Sequence, residues 1–263
     1  MNIHPVYSAP GRLSSTFDNS HFKVQHVSPQ FHSNLRSLRC LLFSMGREKI
    51  QCGQAYLNTD YFMAWEPSRQ SKTIEILLQG DESLFDQDCR DLWENFGAKN
   101  HFSIVTSHKK FISKVYQRFR KCFPNVLEEQ IVHHDDTKFS FIEVVGYTDR
   151  WVWQRNDTEI WRQAVEHHFQ NSPHHPQYHS ASSEVKFSFA NKKDMKFVDM
   201  PIADLEESII DMLACEWERG LAGSATATSS ELATISPAYL KRYTKADRER
   251  VCGYLNEIDT SGL

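Results

Sequence analysis

Apolar residues recur at helical spacing through most of the chain after residue 100. Residues 101–123 place apolar side chains three and four positions apart, and the pattern stops near Pro124. It therefore predicts one long amphipathic helix. The apolar positions of this helix are Ile104, Val105, Phe111, Ile112, Val115 and Phe119. Residues 125–136 predict a short second helix that runs into the sequence HHDD.

The same spacing predicts further helices towards the C-terminus. Residues 157–171 form a candidate helix with Asp157 as its N-cap. One side of this helix holds Ile160, Trp161, Ala164 and His168. Residues 201–220 carry a proline in the first turn and Gly220 just past the expected end. Residues 237–258 predict one or two closing helices, after a polar linker of small residues at 223–236.

The first 97 residues have a mixed pattern. Residues 1–30 are polar and without periodicity, which is typical of a loosely packed arm. Residues 35–45 fit a short helix or a buried strand, and residues 73–80 resemble a strand ended by Gly80. Helical spacing returns in residues 81–97 and stops at Gly97, through Phe85, Cys89, Leu92 and Phe96.

These patterns predict a mostly α-helical protein in two parts. A helical domain is expected from residue 98 to residue 263. Residues 1–97 are expected to form the arm and a small α+β extension, whose role the sequence does not indicate.

Composition narrows the class of protein. The chain has 263 residues, of which 40% are hydrophobic and 24% are charged, and its net charge is -4 without any long basic run. We therefore expect no binding to a nucleic-acid duplex. Neither a signal peptide nor a run of roughly 20 apolar residues is present, so no membrane association is expected. The six cysteines form no CxxC pair, which favours reduced thiols and a cytoplasmic location.

Histidines are concentrated in one region. Nine of the 13 lie between His101 and His179. Imidazole is the commonest metal ligand, and helical bundles build metal sites from side chains on several helices. The candidate donors are His108, the pair His134 and Asp135, the doublets His167-His168 and His174-His175, and Asp211 with Glu207 one turn before it. This set predicts a site for a divalent metal.

Each candidate also has a structural interpretation. A single histidine such as His108 is more often a core or capping residue than a ligand. On a helical wheel, Glu207 and Asp211 lie away from the apolar stripe, which favours a solvated face, while Glu216 lies inside it as a competing carboxylate. Neighbours in a helical doublet point about 100° apart, so one ligand is expected from each doublet.

The order H…HD…H…H…D resembles the HD-domain superfamily of metal-dependent phosphohydrolases. The motifs are most similar to the DUF5662 family, an uncharacterised HD-like group of bacteria and phages. Its pattern runs HK, HDxSK(Y/F)SxxEF, HHxxxxxHHxEYW, and MP followed by ExxxD. The matching positions are His108, Lys109, His134, Asp135, Lys138, Phe139, Ser140, Glu143, His167, His168, His174, His175, Tyr178, Met200, Pro201, Glu207 and Asp211.

The resemblance spans residues 105–215 and has four departures. These are Thr137 for serine, Val144 for phenylalanine, Gln177 for glutamate and His179 for tryptophan. Residues 1–97 have no counterpart in the family pattern, so substrate choice stays open. The pattern favours Asp211 over Glu216 as the closing carboxylate.

The resemblance implies an HD-like helical bundle with one or two divalent ions, which could be Mn, Fe, Zn, Co or Mg. His108, His134, Asp135 and Asp211 would hold the first ion. Asp135 would bridge to a second ion held by one histidine of each doublet. The candidate catalytic residues are Lys138, which is placed to neutralise a phosphate oxygen, and the carboxylates Glu143 and Glu207.

Several alternatives remain open for these positions. Lys138 could equally be a surface lysine, and Glu143 could be an outer base or merely its partner. The three tryptophans of this region fit a pocket wall, although core packing is favoured for at least two of them: Trp151, Trp153 and Trp161.

The function expected from the resemblance is hydrolysis of a small phosphorylated molecule, a phosphomonoester or phosphodiester, possibly a nucleotide. A di-iron oxygenase of the same fold would use the same order of ligands. A binding protein with a structural or regulatory metal is the non-enzymatic alternative, and its coordination would be closed by protein.

Overall fold

The computed structural model describes residues 59–180, 197–221, 235 and 237–260. These residues are predominantly helical and contain no β-strand, so the mostly α-helical prediction is confirmed for them. The α-helices, numbered in chain order, are α1 (Thr59–Met63), α2 (Pro67–Gln79), α3 (Gln87–Arg90), α4 (Ala98–Phe119), α5 (Glu128–His133), α6 (Phe141–Trp151), α7 (Glu159–Asn171), α8 (Ile202–Glu216), α9 (Pro237–Leu240) and α10 (Lys245–Thr260). Shorter 3-10 turns span Glu82–Leu84, Arg120–Cys122 and Asp136–Phe139, and π-helical turns span Asp91–Asn95 and Trp217–Leu221.

Some predictions fall on other parts of the chain. The arm at 1–30, the element at 35–45 and all of the linker 223–236 except Ile235 lie outside the described residues. The division into parts at residue 97 stays a prediction.

The strand predicted at 73–80 was wrong. Residues 73–79 belong to α2, which begins with Pro67 in its first turn and buries Ile74 and Leu77. Gly80 ends this helix with φ 70°, and its N–H donates to the Leu77 carbonyl. A short apolar run fits a buried strand or a helix equally well, and here the packing of Ile74 and Leu77 into the core distinguishes the two. The described part of the extension, residues 59–97, is therefore helical rather than α+β.

Aromatic side chains join residues 59–97 to the helices that follow. Phe62 and Phe96 lie 4.8 Å apart by ring centroids, and Trp65 lies 5.7 Å from Phe141 of α6. All four side chains belong to one buried cluster that also includes Phe102 of α4. This part of the extension thus shares a hydrophobic core with the helical domain.

The long helix predicted after residue 100 is confirmed. The buried face of α4 carries apolar residues at helical spacing and packs against α6 and α8. His108 lies within that face, between Val105 and Ile112, and is fully buried. The position of His108 on the face is the direct result of the periodicity, because residues three and four apart lie on the same side of a helix.

Helices α6 and α7 pack closely against each other. They pack at Gly146, where an added Cβ would lie 2.4 Å from the Cβ of Ala164. The N-cap of α7 is Thr158, whose Oγ1 accepts from the Trp161 N–H, and not Asp157 as predicted. Asp157 adopts a left-handed backbone with φ 59°, which removes it from the capping position.

The C-terminal helices agree with the prediction in number. Residues 237–260 form α9 and α10, the two closing helices that the pattern allowed. The predicted stop at Gly220 was wrong, since the π-helical turn after α8 continues through Leu221. Across the described part of the chain, no helix combines the length and the apolar character that a bilayer crossing needs.

Candidate metal centre

Five segments bring histidine and aspartate side chains together inside the helical domain. His108 comes from the middle of α4, Asp211 from α8, and His168 from α7. His134 and Asp135 directly follow α5. The turn after α7 supplies His174 and His175. All seven side chains are buried, with at most 6% of any residue exposed.

The first group of donors surrounds one side of Asp135. His108 Nε2 lies 3.0 Å from Asp211 Oδ1 and 3.8 Å from Asp135 Oδ2. His134 Nε2 lies 3.6 Å from Asp135 Oδ2 and 3.9 Å from Asp211 Oδ1. Ligands about 2.1 Å from one ion stand about 3.0 to 4.2 Å from each other, so these four atoms fit one coordination shell. We call them the first subsite.

The second group of donors lies on the other oxygen of the same carboxylate. Asp135 Oδ1 is 3.5 Å from His168 Nε2 and 3.7 Å from His174 Nε2. His168 Nε2 is also 2.9 Å from His175 Nε2. The three imidazoles and Asp135 Oδ1 form what we call the second subsite. The two oxygens of Asp135 therefore face two different sets of donors.

The donor atoms themselves indicate that a cation fits here. His134 Nε2, His174 Nε2 and Asp135 Oδ1 are buried, and the described residues give them no hydrogen-bond partner. Burial of a polar atom without a partner is costly, and it is rare in folded proteins. Divalent ions in the two subsites would accept these three lone pairs. Among the described residues, sets of three donor atoms within 4.8 Å of one another occur in each subsite, and one further set, His134, His174 and Asp211, spans both.

Three glutamates contact the outer nitrogens of these imidazoles. Glu207 Oε1 lies 2.8 Å from His134 Nδ1 and 3.3 Å from His174 Nδ1. Glu143 Oε2 lies 3.1 Å from His168 Nδ1. Glu218 Oε2 lies 3.3 Å from His108 Nδ1. The hydroxyl of Thr137, 3.1 Å away, also contacts His168 Nδ1.

The charges of the cluster depend on one another. Burial would raise the pKa of the Glu207 carboxyl, but its contacts with His134 and His174 lower it to about 2. Burial likewise opposes the charged form of His108, yet the hydrogen bonds to Asp211 and Glu218 raise its pKa to about 9. The pKa of Asp211 lies well below its ordinary value, because His108 outweighs the effect of burial.

Lys138 is a buried member of the cluster and not a surface lysine. It is 1% exposed, and its Nζ forms an ion pair with Asp135 Oδ2. The 3-10 turn Asp136–Phe139 places it there, three residues after Asp135. Glu143 is not its partner, because the Glu143 carboxylate contacts His167 and His168 instead.

The two histidine doublets behave differently. In the first doublet only His168 points into the cluster, since His167 Nδ1 bonds Glu143 Oε1 at 2.7 Å from a partly exposed position. In the second doublet both His174 and His175 lie inside the cluster. The expectation of one inward histidine per doublet assumed helical backbone, and His174 and His175 lie in a turn.

The solvated-face interpretation of Glu207 and Asp211 was wrong. Their exposed fractions are 5% and 6%, because every residue of α8 from Leu205 to Glu216 is buried. A helix covered on all sides has no solvent face for a helical wheel to find. Glu216, the competing carboxylate, instead accepts a hydrogen bond from Arg219 at 2.6 Å.

Two side chains that contact the cluster were not predicted from the sequence. Glu218 reaches His108 from the π-helical turn after α8, and Cys215 Sγ lies 3.7 Å from Asp211 Oδ1. Both could have been found from spacing, because positions four and seven after Asp211 share its side of a helix. Among the tryptophans, Trp161 is a core residue and Trp153 donates to the Phe96 carbonyl, while the Trp151 ring stacks on His101.

Comparison with known proteins identifies the family of the chain and no individual relative. No curated protein and no solved structure gives a significant match. Residues 97–257 match the model of a family described as a family of unknown function, DUF5662. This range holds every donor of both subsites and more than half of the chain, and it agrees with the resemblance found in the motifs. The chain therefore belongs to the DUF5662 family.

Proposed function

We propose that this protein is a metal-dependent phosphohydrolase of the HD type, acting on a small phosphomonoester or phosphodiester. The observation that carries the proposal is the position of Asp135, whose two carboxylate oxygens face two separate sets of buried donors. A carboxylate between two such sets is suited to bridge a pair of divalent ions. Paired ions of this kind clamp a phosphoryl group and lower the pKa of a bound water, which supplies the nucleophile.

The donor types bear on the choice of ion. Five imidazoles and two carboxylates converge on the two subsites. Imidazole donors suit iron and zinc better than magnesium, calcium or manganese, which prefer oxygen. We therefore expect a transition metal in the purified protein.

The protein's own residues supply binding and charge. Lys138 stands beside Asp135 with its ammonium group buried, so it can contribute positive charge to a phosphate oxygen held at the centre. Helices α4, α6, α7 and α8 surround the cluster and limit access of bulk water. Low water content strengthens each electrostatic contact with the substrate.

The test compares the inward residues of the HHDD sequence with their exposed neighbours. His134→Ala and Asp135→Ala remove inward donors. His133→Ala and Asp136→Asn are matched controls, because these side chains are exposed and bond each other at 2.8 Å. We expect His134→Ala and Asp135→Ala to lose their bound metal. We also expect their rates of hydrolysis, measured on a panel of phosphatase and phosphodiesterase substrates, to fall at least about 100-fold. Retention of both metal and turnover in His134→Ala and Asp135→Ala would refute the proposal.

The same measurements separate the alternatives. Bound iron with oxygen consumption and no hydrolysis would assign the centre to a di-iron oxygenase. Bound metal without either activity would assign it to a structural or regulatory role. That role is favoured by one observation, the burial of every donor. Elemental analysis of the full chain is therefore the first measurement to make.

A further inference from the structure

We propose that Glu207 is a positioning residue shared by both metal subsites, whereas Glu218 serves only the first subsite and Glu143 only the second. The inference rests on the metal centre of the proposed function and assigns its outer carboxylates. None of the three is placed as a ligand, since each contacts the outer nitrogen of an imidazole.

The argument begins with the two nitrogens of each ring. His108, His134, His168 and His174 all direct Nε2 towards the donors of a subsite. Their Nδ1 atoms all face a carboxylate. An ionised carboxylate only accepts hydrogen bonds, so it favours the tautomer with the proton on Nδ1. In His134 and His174 the lone pair of Nε2 is then free for a metal, while Nε2 of His108 also contacts Asp211 and Nε2 of His168 also contacts His175.

The three carboxylates divide unequally between the subsites. Glu218 contacts His108, a donor of the first subsite, and Glu143 contacts His168, a donor of the second. Glu207 contacts one donor of each, through a single oxygen, Oε1. His134 and His174 can share this oxygen because their ring centroids lie 4.2 Å apart.

The position of Glu207 on α8 explains why it can reach both rings. Glu207 precedes Asp211 by one helical turn, so both carboxylates project from the same side of the helix. Asp211 meets Nε2 of His108, while Glu207 meets Nδ1 of His134 and His174. One helix thus supplies a donor and the group that orients two others.

The expected effect is a loss of metal affinity. Removal of a carboxylate that orients a metal-bound histidine costs about 10- to 100-fold in affinity. Glu207→Gln should weaken both subsites by this amount, Glu218→Gln only the first and Glu143→Gln only the second. Glu216→Gln is the matched control, because Glu216 is equally buried on α8 but bonds Arg219.

Two backgrounds isolate the subsites. His175→Ala leaves the first subsite intact, and His108→Ala leaves the second. Metal-free protein in each background is titrated with Co²⁺, and the dissociation constant is read from the visible absorption of the bound ion. We expect Glu207→Gln to weaken Co²⁺ binding in both backgrounds. Glu218→Gln should weaken Co²⁺ binding only in the His175→Ala background. Glu143→Gln should weaken it only in the His108→Ala background.

The outcomes separate this inference from the proposed function. If the unaltered chain binds no Co²⁺, the metal centre and the proposed function both fall. If it binds Co²⁺ but Glu207→Gln matches Glu216→Gln in both backgrounds, only the shared role of Glu207 is overturned. Nitrogen-15 spectra of the unaltered, metal-free chain give a test that needs no variant. Protons on Nδ1 of His134 and His174 support the inference, and protons on Nε2 overturn it.

Discussion

Substitution of Gly146 by alanine tests whether the α6–α7 contact holds the second subsite together. A Cβ at this position would lie 2.4 Å from the Cβ of Ala164 and 2.7 Å from the carbonyl oxygen of Ile160. Carbon atoms in contact normally stand about 3.5–4.0 Å apart, so α7 would have to move away by roughly 1 Å. Neither contact atom is the end of a flexible side chain that could turn aside.

The magnitude follows from two opposing effects. Overpacking of a tight contact costs about 1–3 kcal/mol, and the rigid partners here favour the upper end. Alanine regains about 1 kcal/mol over glycine in a helix interior. The net loss is then about 2 kcal/mol in the free energy of unfolding. For a chain of this size that corresponds to a fall of about 4–8 °C in Tm.

Urea and thermal unfolding followed by circular dichroism measure the effect. Gly253→Ala is the control, because an added Cβ in α10 meets nothing within 4 Å. We expect Gly253→Ala to be as stable as the unaltered chain or more so. Equal stability of the Gly146 and Gly253 variants would refute the close helix contact. Gly146→Ala should also weaken Co²⁺ binding at the second subsite, since α6 carries Glu143 and α7 carries His168.

Three further predictions follow from single contacts. Lys138→Met should keep its bound metal but lose about 100-fold in turnover, and unchanged turnover would remove Lys138 from substrate binding. Removal of the metal by a chelator should lower the Tm of the unaltered chain, because an ion at 100 times its Kd adds about 2.7 kcal/mol to the free energy of unfolding. An equal fall in the Tm of Asp135→Ala would contradict this prediction. Burial lowers the pKa of His101 to about 4, although its contact with the Lys138 carbonyl opposes the shift. The unfolded chain then binds a proton below about pH 6.5 that the folded chain does not, so stability should fall by about 3 kcal/mol between pH 6.5 and 4. Urea titrations across this range should show a smaller fall in His101→Gln, and an unchanged fall would contradict the assignment.

Helices with one solvent-facing side were predictable from the sequence. The pattern of α4 predicted a helix over residues 101–123, and the helix spans Ala98–Phe119, because apolar residues recur with helical period. The prediction failed for α2, where six consecutive residues from Thr73 to Leu78 are mostly apolar. Such a run carries no period, and only the packing of Ile74 and Leu77 into the core distinguishes helix from strand.

Prediction from the helical wheel also failed for α8, for a different reason. Burial on all sides removes the contrast between a polar and an apolar face, so Glu207 and Asp211 looked solvated. The family motif identified them because it records spacing between chemical groups, which does not depend on hydropathy. Glu218 lies beyond that motif in a π-helical turn, and only its spacing of seven residues from Asp211 indicated its contact with His108.

The arrangement of neighbouring donors follows from where the helices end. Neighbours in a helix diverge by about 100°, so His167 and His168 send only one ring into the cluster. His134 and Asp135 both reach the cluster because α5 has ended at His133 and Asp135 turns with φ 63°.

A left-handed backbone at a residue other than glycine costs about 1–2 kcal/mol, and aspartate tolerates it better than most. Such strain persists where surrounding structure fixes it, and functional sites are where it collects. His174 and His175 also lie outside a helix, in the turn after α7. Adjacent pairs of donors therefore enter this centre only where the chain has left the helix.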